Sequence, residues 1–212
     1  MANDESPPLT LGEEQRMFAI EHSLAITVFA ELEDQMCMFV AFQAGKASGA
    51  AMKSAMYGIE SFRAKLEFVN RFTRIFLDGK PDMIDRWEKV HSALGKANSW
   101  RNQIVHQSKR VFPKSTPGRR VVLVSPVVRP SSGHAAKVKA VTTGEPAPDD
   151  AIGVRNIVEA RLLASEARNR LGSVWGLMQK GRDVYEGHPP LKAPKLEELV
   201  KEYRRSARAN LV

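Results

Sequence analysis

The sequence predicts an all-α protein: an antiparallel bundle of four long helices, a small β-hairpin in a Pro-rich insertion, and a short C-terminal helix. Three observations predict it. Apolar residues recur at steps of three and four through four long stretches, the period of a helix buried along one face. Start and stop signals punctuate those stretches, from the capping box Thr10-Leu11-Gly12-Glu13 to the boundary at Gly79-Lys80-Pro81. Pro113, Pro117, Pro126, Pro130, Pro146 and Pro148 then exclude a long helix from one segment.

The first helix opens at the capping box, carries the seam Met17, Ile20, Leu24, Val28, Leu32, Met36 and Phe39, and ends near Gly45. The second runs from about Ala50 to Leu77 on Met52, Ala55, Ile59, Phe62, Leu66, Val69, Phe72 and Phe76. Glycine past its end and proline in the next first turn set the boundary. The third spans Pro81 to about Gln107 on Trp87, Val90, Leu94, Ala97, Arg101 and Ile104. Within the insertion, the Val-rich runs 119–124 and 136–141 predict an irregular hairpin around the loop 129–134. His134 in that loop has no ligand-spaced companion. Asp149-Asp150 offers an N-cap for a fourth helix, Ala151 to Tyr185, with the seam Ile157, Ala160, Ala164, Ala167, Leu171, Val174 and Met178. A Pro-broken linker, 187–194, leads to a basic helix over 195–210 that either packs on the bundle or frays. Residues 1–112 and 149–212 thus form one helical domain around the insertion 113–148.

At 212 residues, with 43% hydrophobic and 26% charged side chains, the chain has room for one sizeable core. No apolar run approaches the roughly 18 residues needed to span a bilayer, so no membrane association is expected. Residues 1–8 are acidic and lack the pattern of a signal peptide. The single cysteine, Cys37, lies among Met36, Met38 and Phe39 and reads as a small core hydrophobe. These features together predict a cytoplasmic protein. The net charge of +8 is uneven: residues 1–110 carry 14 basic and 14 acidic side chains, so the excess falls wholly in residues 111–212. Such a distribution suits a polyanion such as RNA, and equally a solvated basic face.

Several chemistries are excluded by their missing residues. Gly45-Lys46 is not a phosphate-binding loop, because Val40 stands at the required earlier glycine and Ala47 replaces Ser or Thr. No histidines stand four apart and no Cys-x-x-Cys exists, so no zinc is expected. Glu31, Glu33 and Asp34 are closest to a carboxylate cluster, and helical spacing of this kind is far more often solvated than metal-binding. No Gly-x-Ser-x-Gly elbow is present. Neither metal nor cofactor is expected.

One residue breaks the helical pattern. Arg101 occupies a seam position of the third helix where an apolar side chain is due, and such violations tend to mark functional or strained sites. It opens the sequence Arg101-Asn102-Gln103-Ile104-Val105-His106. This Arg-Asn-x-x-x-His pattern, late in a long helix that follows a helical hairpin, resembles the higher-eukaryote and prokaryote nucleotide-binding (HEPN) superfamily. The resemblance covers about residues 10–185 in architecture and seven residues, 100–106, in specific sequence.

The resemblance implies a metal-independent endoribonuclease, a homodimer whose two motifs face each other across a cleft, with a toxin or defence role and an antitoxin or regulatory partner. His106 would be the general acid or base, a role suited to an imidazole whose ordinary pKa is about 6.5. Arg101 would bind the scissile phosphate as a planar donor, and Asn102 would orient His106 from the same helical face. Lys109 and Arg110 are candidate RNA contacts, or neutralise a helix C-terminus. Relatives modified by a nucleotidyltransferase carry Tyr two residues after the histidine; Ser108 stands there, so control by adenylylation is not expected. Arg101 and His106 are about 140° apart round an ideal helix. They converge only if the helix end relaxes, if Arg101 reaches round, or if two protomers each contribute. The alternatives are a non-catalytic nucleotide-, RNA- or protein-binding module, and a purely structural motif with Arg101 in a buried ion pair, for instance to Glu60 or Glu67, and Asn102 and His106 bonded to backbone carbonyls.

Overall fold

The computed structural model describes residues 7, 9–124, 147, 149–180 and 194–209. They are predominantly helical, as expected: α1 (Leu11–Gln43), α2 (Gly45–Tyr57), α3 (Phe62–Phe76) and α4 (Pro81–Val105) are followed by strands β1 (Ser108–Val111) and β2 (Val121–Val124), then α5 (Val154–Lys180) and α6 (Leu196–Ala209). No helix among the described residues is long and apolar enough to cross a membrane. The chain divides into two compact units. Unit 1 comprises Met1–Ala25, Gln103–Glu159 and Lys192–Val212; unit 2 comprises Ile26–Asn102 and Ala160–Leu191.

Unit 2 is helical, and its core is aromatic. Trp87 is fully buried on α4, stacks on Phe39 of α1 at 5.6 Å, and donates from Nε1 to Asn70 Oδ1 of α3 at 2.9 Å. The indole therefore buries its ring without stranding its N–H. Trp175 of α5 meets Phe39 edge-on at 6.4 Å. Val90, Leu94 and Ala97 of α4 are buried, as are Ala160, Ala164, Ala167, Leu171 and Val174 of α5, so both seams hold as predicted. A buried polar pair, Gln43 Nε2 to Thr73 Oγ1 at 3.1 Å, joins α1 to α3.

The second predicted helix is two helices. Gly58 N–H turns back on the carbonyls of Ser54 and Ala55 at 3.2 and 3.1 Å and closes α2. Ser61 is extended, and its hydroxyl accepts from Ala64 N–H at 3.0 Å, capping α3. Ile59 and Phe62 keep helical spacing across the break, which is why periodicity alone runs through it. Helix α2 also starts earlier than predicted, at Gly45, whose φ of +75° favours glycine. Its Gly49 is a packing residue: a Cβ there would lie 2.8 Å from the Ala41 carbonyl oxygen.

In unit 1 the capping box forms as expected. Thr10 Oγ1 accepts from Glu13 N–H at 3.2 Å, and the Glu13 carboxylate accepts from Thr10 N–H at 2.9 Å. The seam of this part of α1 is the predicted one at Met17, which is buried, but not beyond it. Phe18 and Ala25 are buried, whereas Ile20 and Leu24 are 48% and 44% exposed. Apolar residues lie on two faces here, and spacing could not choose between them.

The hairpin partner also differs. β2 pairs antiparallel with β1, with Lys109 opposite Leu123 and Arg110 opposite Val122. The expected partner, 136–141, and the loop 129–134 lie outside the described residues. All four residues of β2 are buried, and Phe112, Val122, Val124 and Ala151 form a core cluster. Leu123 and Ile152 exchange backbone hydrogen bonds at 2.9 and 3.0 Å, which keeps 151–152 extended. Helix α5 consequently begins at Val154 rather than Ala151, with Asn156 Oδ1 accepting from Gly153 N–H at 3.2 Å. Its predicted end at Tyr185 lies outside the described residues.

Helix α6 packs rather than frays. Leu199 and Val200 are buried, and Arg204 donates to both oxygens of Glu13, at 2.9 and 3.1 Å. Those bonds, with the ones from Thr10, hold the Glu13 carboxyl at about 2, below its ordinary 4.5. A depressed carboxylate stabilises the folded state above its ordinary pKa and loses that contribution as pH falls. Docking of α6 is therefore expected to weaken as pH drops from 4.5 to about 2. Amide exchange along α6 checks this, because Arg204→Ala must remove the wild-type excess in pH dependence; identical slopes would refute the pairing.

Candidate functional site

Arg101 rises from the buried row of α4 one turn beyond Ala97, within unit 2. Its guanidinium carbon lies 5.5 Å from the centroid of the Phe62 ring, and Nη2 lies 3.9 Å from Glu33 Oε2. Phe62 is the first residue of α3, so the Ser61 cap that starts the helix also places the ring under Arg101. The side chain is 23% exposed. At 3.9 Å the contact with Glu33 is an ion pair too long for a hydrogen bond, since N–H···O bonds run to about 3.2 Å.

Glu33 has a closer partner. Its Oε1 accepts from Lys65 Nζ of α3, and Lys65 is 4% exposed. A buried ammonium requires a carboxylate, so Lys65 fixes where Glu33 points. Beside them the Tyr57 hydroxyl donates to Asp34, which pushes the phenol up to about 12, and Lys65 Nζ stands 6.0 Å from the Tyr57 ring. Cys37 is buried as predicted, with its thiol raised by that burial.

Two expectations are corrected by this cluster. The partner of Arg101 is Glu33 of α1, not Glu60 or Glu67, and Glu67 pairs with Arg63 on its own helix at 3.0 Å. The carboxylates of Glu31, Glu33 and Asp34 are not simply solvated. Glu31 pairs with Arg168, Glu33 with Lys65 and Arg101, and Asp34 accepts from Tyr57. Among the described residues, no group of three or more His, Cys, Asp or Glu is arranged to hold a metal ion.

The rest of the motif lies in two places. Asn102 is exposed on the last turn of α4 and belongs to unit 2. His106 is exposed and belongs to unit 1, in a bend, because α4 ends at Val105 rather than Gln107. The chain leaves the helix there to enter β1, so the helical spacing that put Asn102 and His106 on one face does not extend to His106. Lys109 and Arg110 are exposed strand residues, so a helix C-terminus does not explain them. Lys109 Nζ is 5.8 Å from the Phe18 ring centroid.

The sequence reading missed Glu33, Lys65 and Phe62 as neighbours of Arg101. A signal was present: Lys65 is three residues after Phe62 and four before Val69, so it sits on a second possible seam of the same helix. Two further polar residues flank the motif. The side-chain oxygens of Asn98 and Gln107 are buried without a hydrogen-bond partner. Each such acceptor costs about 1–3 kcal/mol if it stays unsatisfied.

No family model, no curated protein and no solved structure matches the chain. The chemistry must therefore be argued from these side chains. A part-exposed guanidinium over an aromatic ring, and not hydrogen-bonded to its carboxylate, keeps donors for an oxyanion.

Proposed function

We propose that this chain is a HEPN-like, metal-independent endoribonuclease that acts as a homodimer, in a toxin or defence setting with an antitoxin or regulatory partner. The observation that carries the reading is the state of Arg101: charge-paired, set over the Phe62 ring, and 23% exposed, with N–H donors not spent on Glu33. The exposure of His106, and of Lys109 and Arg110 just after it in the chain, adds support. In this mechanism Arg101 binds the scissile phosphate and stabilises the charge that develops on it. His106 transfers a proton at the ribose 2′-oxygen or the leaving 5′-oxygen, and Asn102 contributes polar contacts. A dimer would let each protomer supply part of the site, so Arg101 and His106 of one chain need not meet.

The second reading is a non-catalytic nucleotide-, RNA- or protein-binding module. The same Arg101 contacts favour it, since a guanidinium lodged between Glu33 and Phe62 also serves as structure. RNA integrity with purified wild type and His106→Ala, in the presence of a chelator, separates the two. Loss of RNA with wild type alone is expected. Intact RNA with both folded proteins would leave only the binding module, and sedimentation equilibrium at micromolar concentration tests the dimer.

A further inference from the structure

Glu33 faces two cations and satisfies only one of them closely. Oε1 takes the Lys65 ammonium, while Oε2 stands 3.9 Å from Arg101 Nη2. The buried lysine has the stronger claim. At 4% exposure it has little water to replace a lost carboxylate, whereas Arg101 keeps 23% of its side chain in solvent. The sum of these charges is one positive charge in excess, and it resides on the more exposed partner. The Phe62 ring lies beneath that guanidinium, 5.5 Å from its carbon to the ring centroid, a cation–π contact that holds the charge in place without using its N–H donors.

We infer that Glu33 is the positioning residue for Arg101, and that Lys65 sets its strength by holding the carboxylate back from a hydrogen-bonded pair. The inference rests on the ribonuclease reading for the identity of the ligand, an RNA phosphate. It adds two residues outside the Arg-Asn-x-x-x-His motif to the determinants of that reading. Without Lys65, Glu33 has Arg101 as its remaining ion-pair partner among the described residues. The carboxylate then closes on the guanidinium as a charge-assisted pair and competes with phosphate for the same donors. With Glu33 neutralised as well, the competitor is gone and Arg101 is held by Phe62 alone.

Lys65→Met and the double variant Glu33→Gln/Lys65→Met test this. The double variant replaces the buried pair whole, a change that is often neutral or stabilising. Lys65→Met alone removes one partner and is the less stable of the two, with Glu33 keeping Arg101 and 23% of its side chain in solvent, and circular dichroism checks the folded state of both. Two quantities are read: the rate at which phenylglyoxal modifies Arg101, followed by peptide mass spectrometry, and KM for an RNA oligonucleotide. Lys65→Met is expected to slow the modification and raise KM by about tenfold each, the scale of one charge-assisted bond. The double variant is expected to return both to within about threefold of wild type. A lysine with a merely structural role would leave the two variants alike.

The reagent needs no RNA, so the two failures are distinguishable. If the modification rates follow the expected order but wild type cleaves no RNA, the ribonuclease reading fails, and phosphate as the ligand fails with it. If wild type cleaves RNA but all three proteins share one Arg101 reactivity and one KM, the partition of Glu33 between its two cations is wrong.

Discussion

Glu14→Ala is expected to destabilise unit 1 by about 3–5 kcal/mol, the cost of breaking a buried ion pair from one side. Glu14 has no exposed surface. Its Oε1 accepts from the backbone N–H groups of Arg120 and Val121 at 2.7 and 3.0 Å, and its Oε2 accepts from Arg120 Nε at 2.9 Å. Arg120 also donates from Nη2 to the Leu9 carbonyl. Alanine therefore leaves two backbone donors without their acceptor and the mostly buried Arg120 guanidinium without its carboxylate, at the entrance to β2. Amide exchange of Val121–Val124 gives the measurement, with protection falling by about two to four orders of magnitude. Glu14→Gln keeps the shape and one acceptor oxygen, so it is expected to fall between alanine and wild type. Unchanged protection in Glu14→Ala would mean that Glu14 does not hold the strand.

Glu14 also shows where sequence reading stops. A glutamate in the first turn of a capped helix reads as an exposed residue favoured by the helix dipole, and Glu13 beside it does take part in the cap. Nothing local distinguishes the two, because Arg120 is more than a hundred residues away and the pairing exists only once β2 is in place. The same applies to Glu33, whose partners Lys65 and Arg101 come from two other helices. By contrast, the α4 and α5 seams were legible because one apolar face per helix leaves a single solution. Where α1 offers two apolar faces, spacing could not tell Phe18 and Ala25 from Ile20 and Leu24. The hairpin was half legible: β2 announces itself by four consecutive apolar residues, but β1, Ser-Lys-Arg-Val, has no strand pattern and is recruited by its neighbour. That recruitment ends α4 early and puts His106 in a bend, a detail no helical wheel contains. Arg101 stood out in the sequence because it broke a good pattern, and the structure gives that break a physical cause in Phe62 and Glu33.

His106→Ala is expected to reduce metal-independent RNA cleavage by about 10²–10⁴-fold, the usual contribution of a positioned proton-transfer group. The side chain is exposed, and substitutions at such positions shift stability by about 0.5 kcal/mol or less, so lost cleavage cannot be charged to unfolding. KM should stay near its wild-type value, because an imidazole acting in proton transfer contributes little to ground-state binding. Arg101→Ala should behave differently and raise KM as well as lower kcat, since a phosphate contact forms on binding and tightens as charge develops. Arg101→Lys keeps the charge but not the planar fork of donors, and should recover only part of the loss. If both groups serve one chemical step, the double variant falls no further than the worse single variant. Losses that multiply would mean that Arg101 and His106 act independently. A residual cleavage common to wild type and all variants would assign the activity to a contaminant and leave the motif as structure.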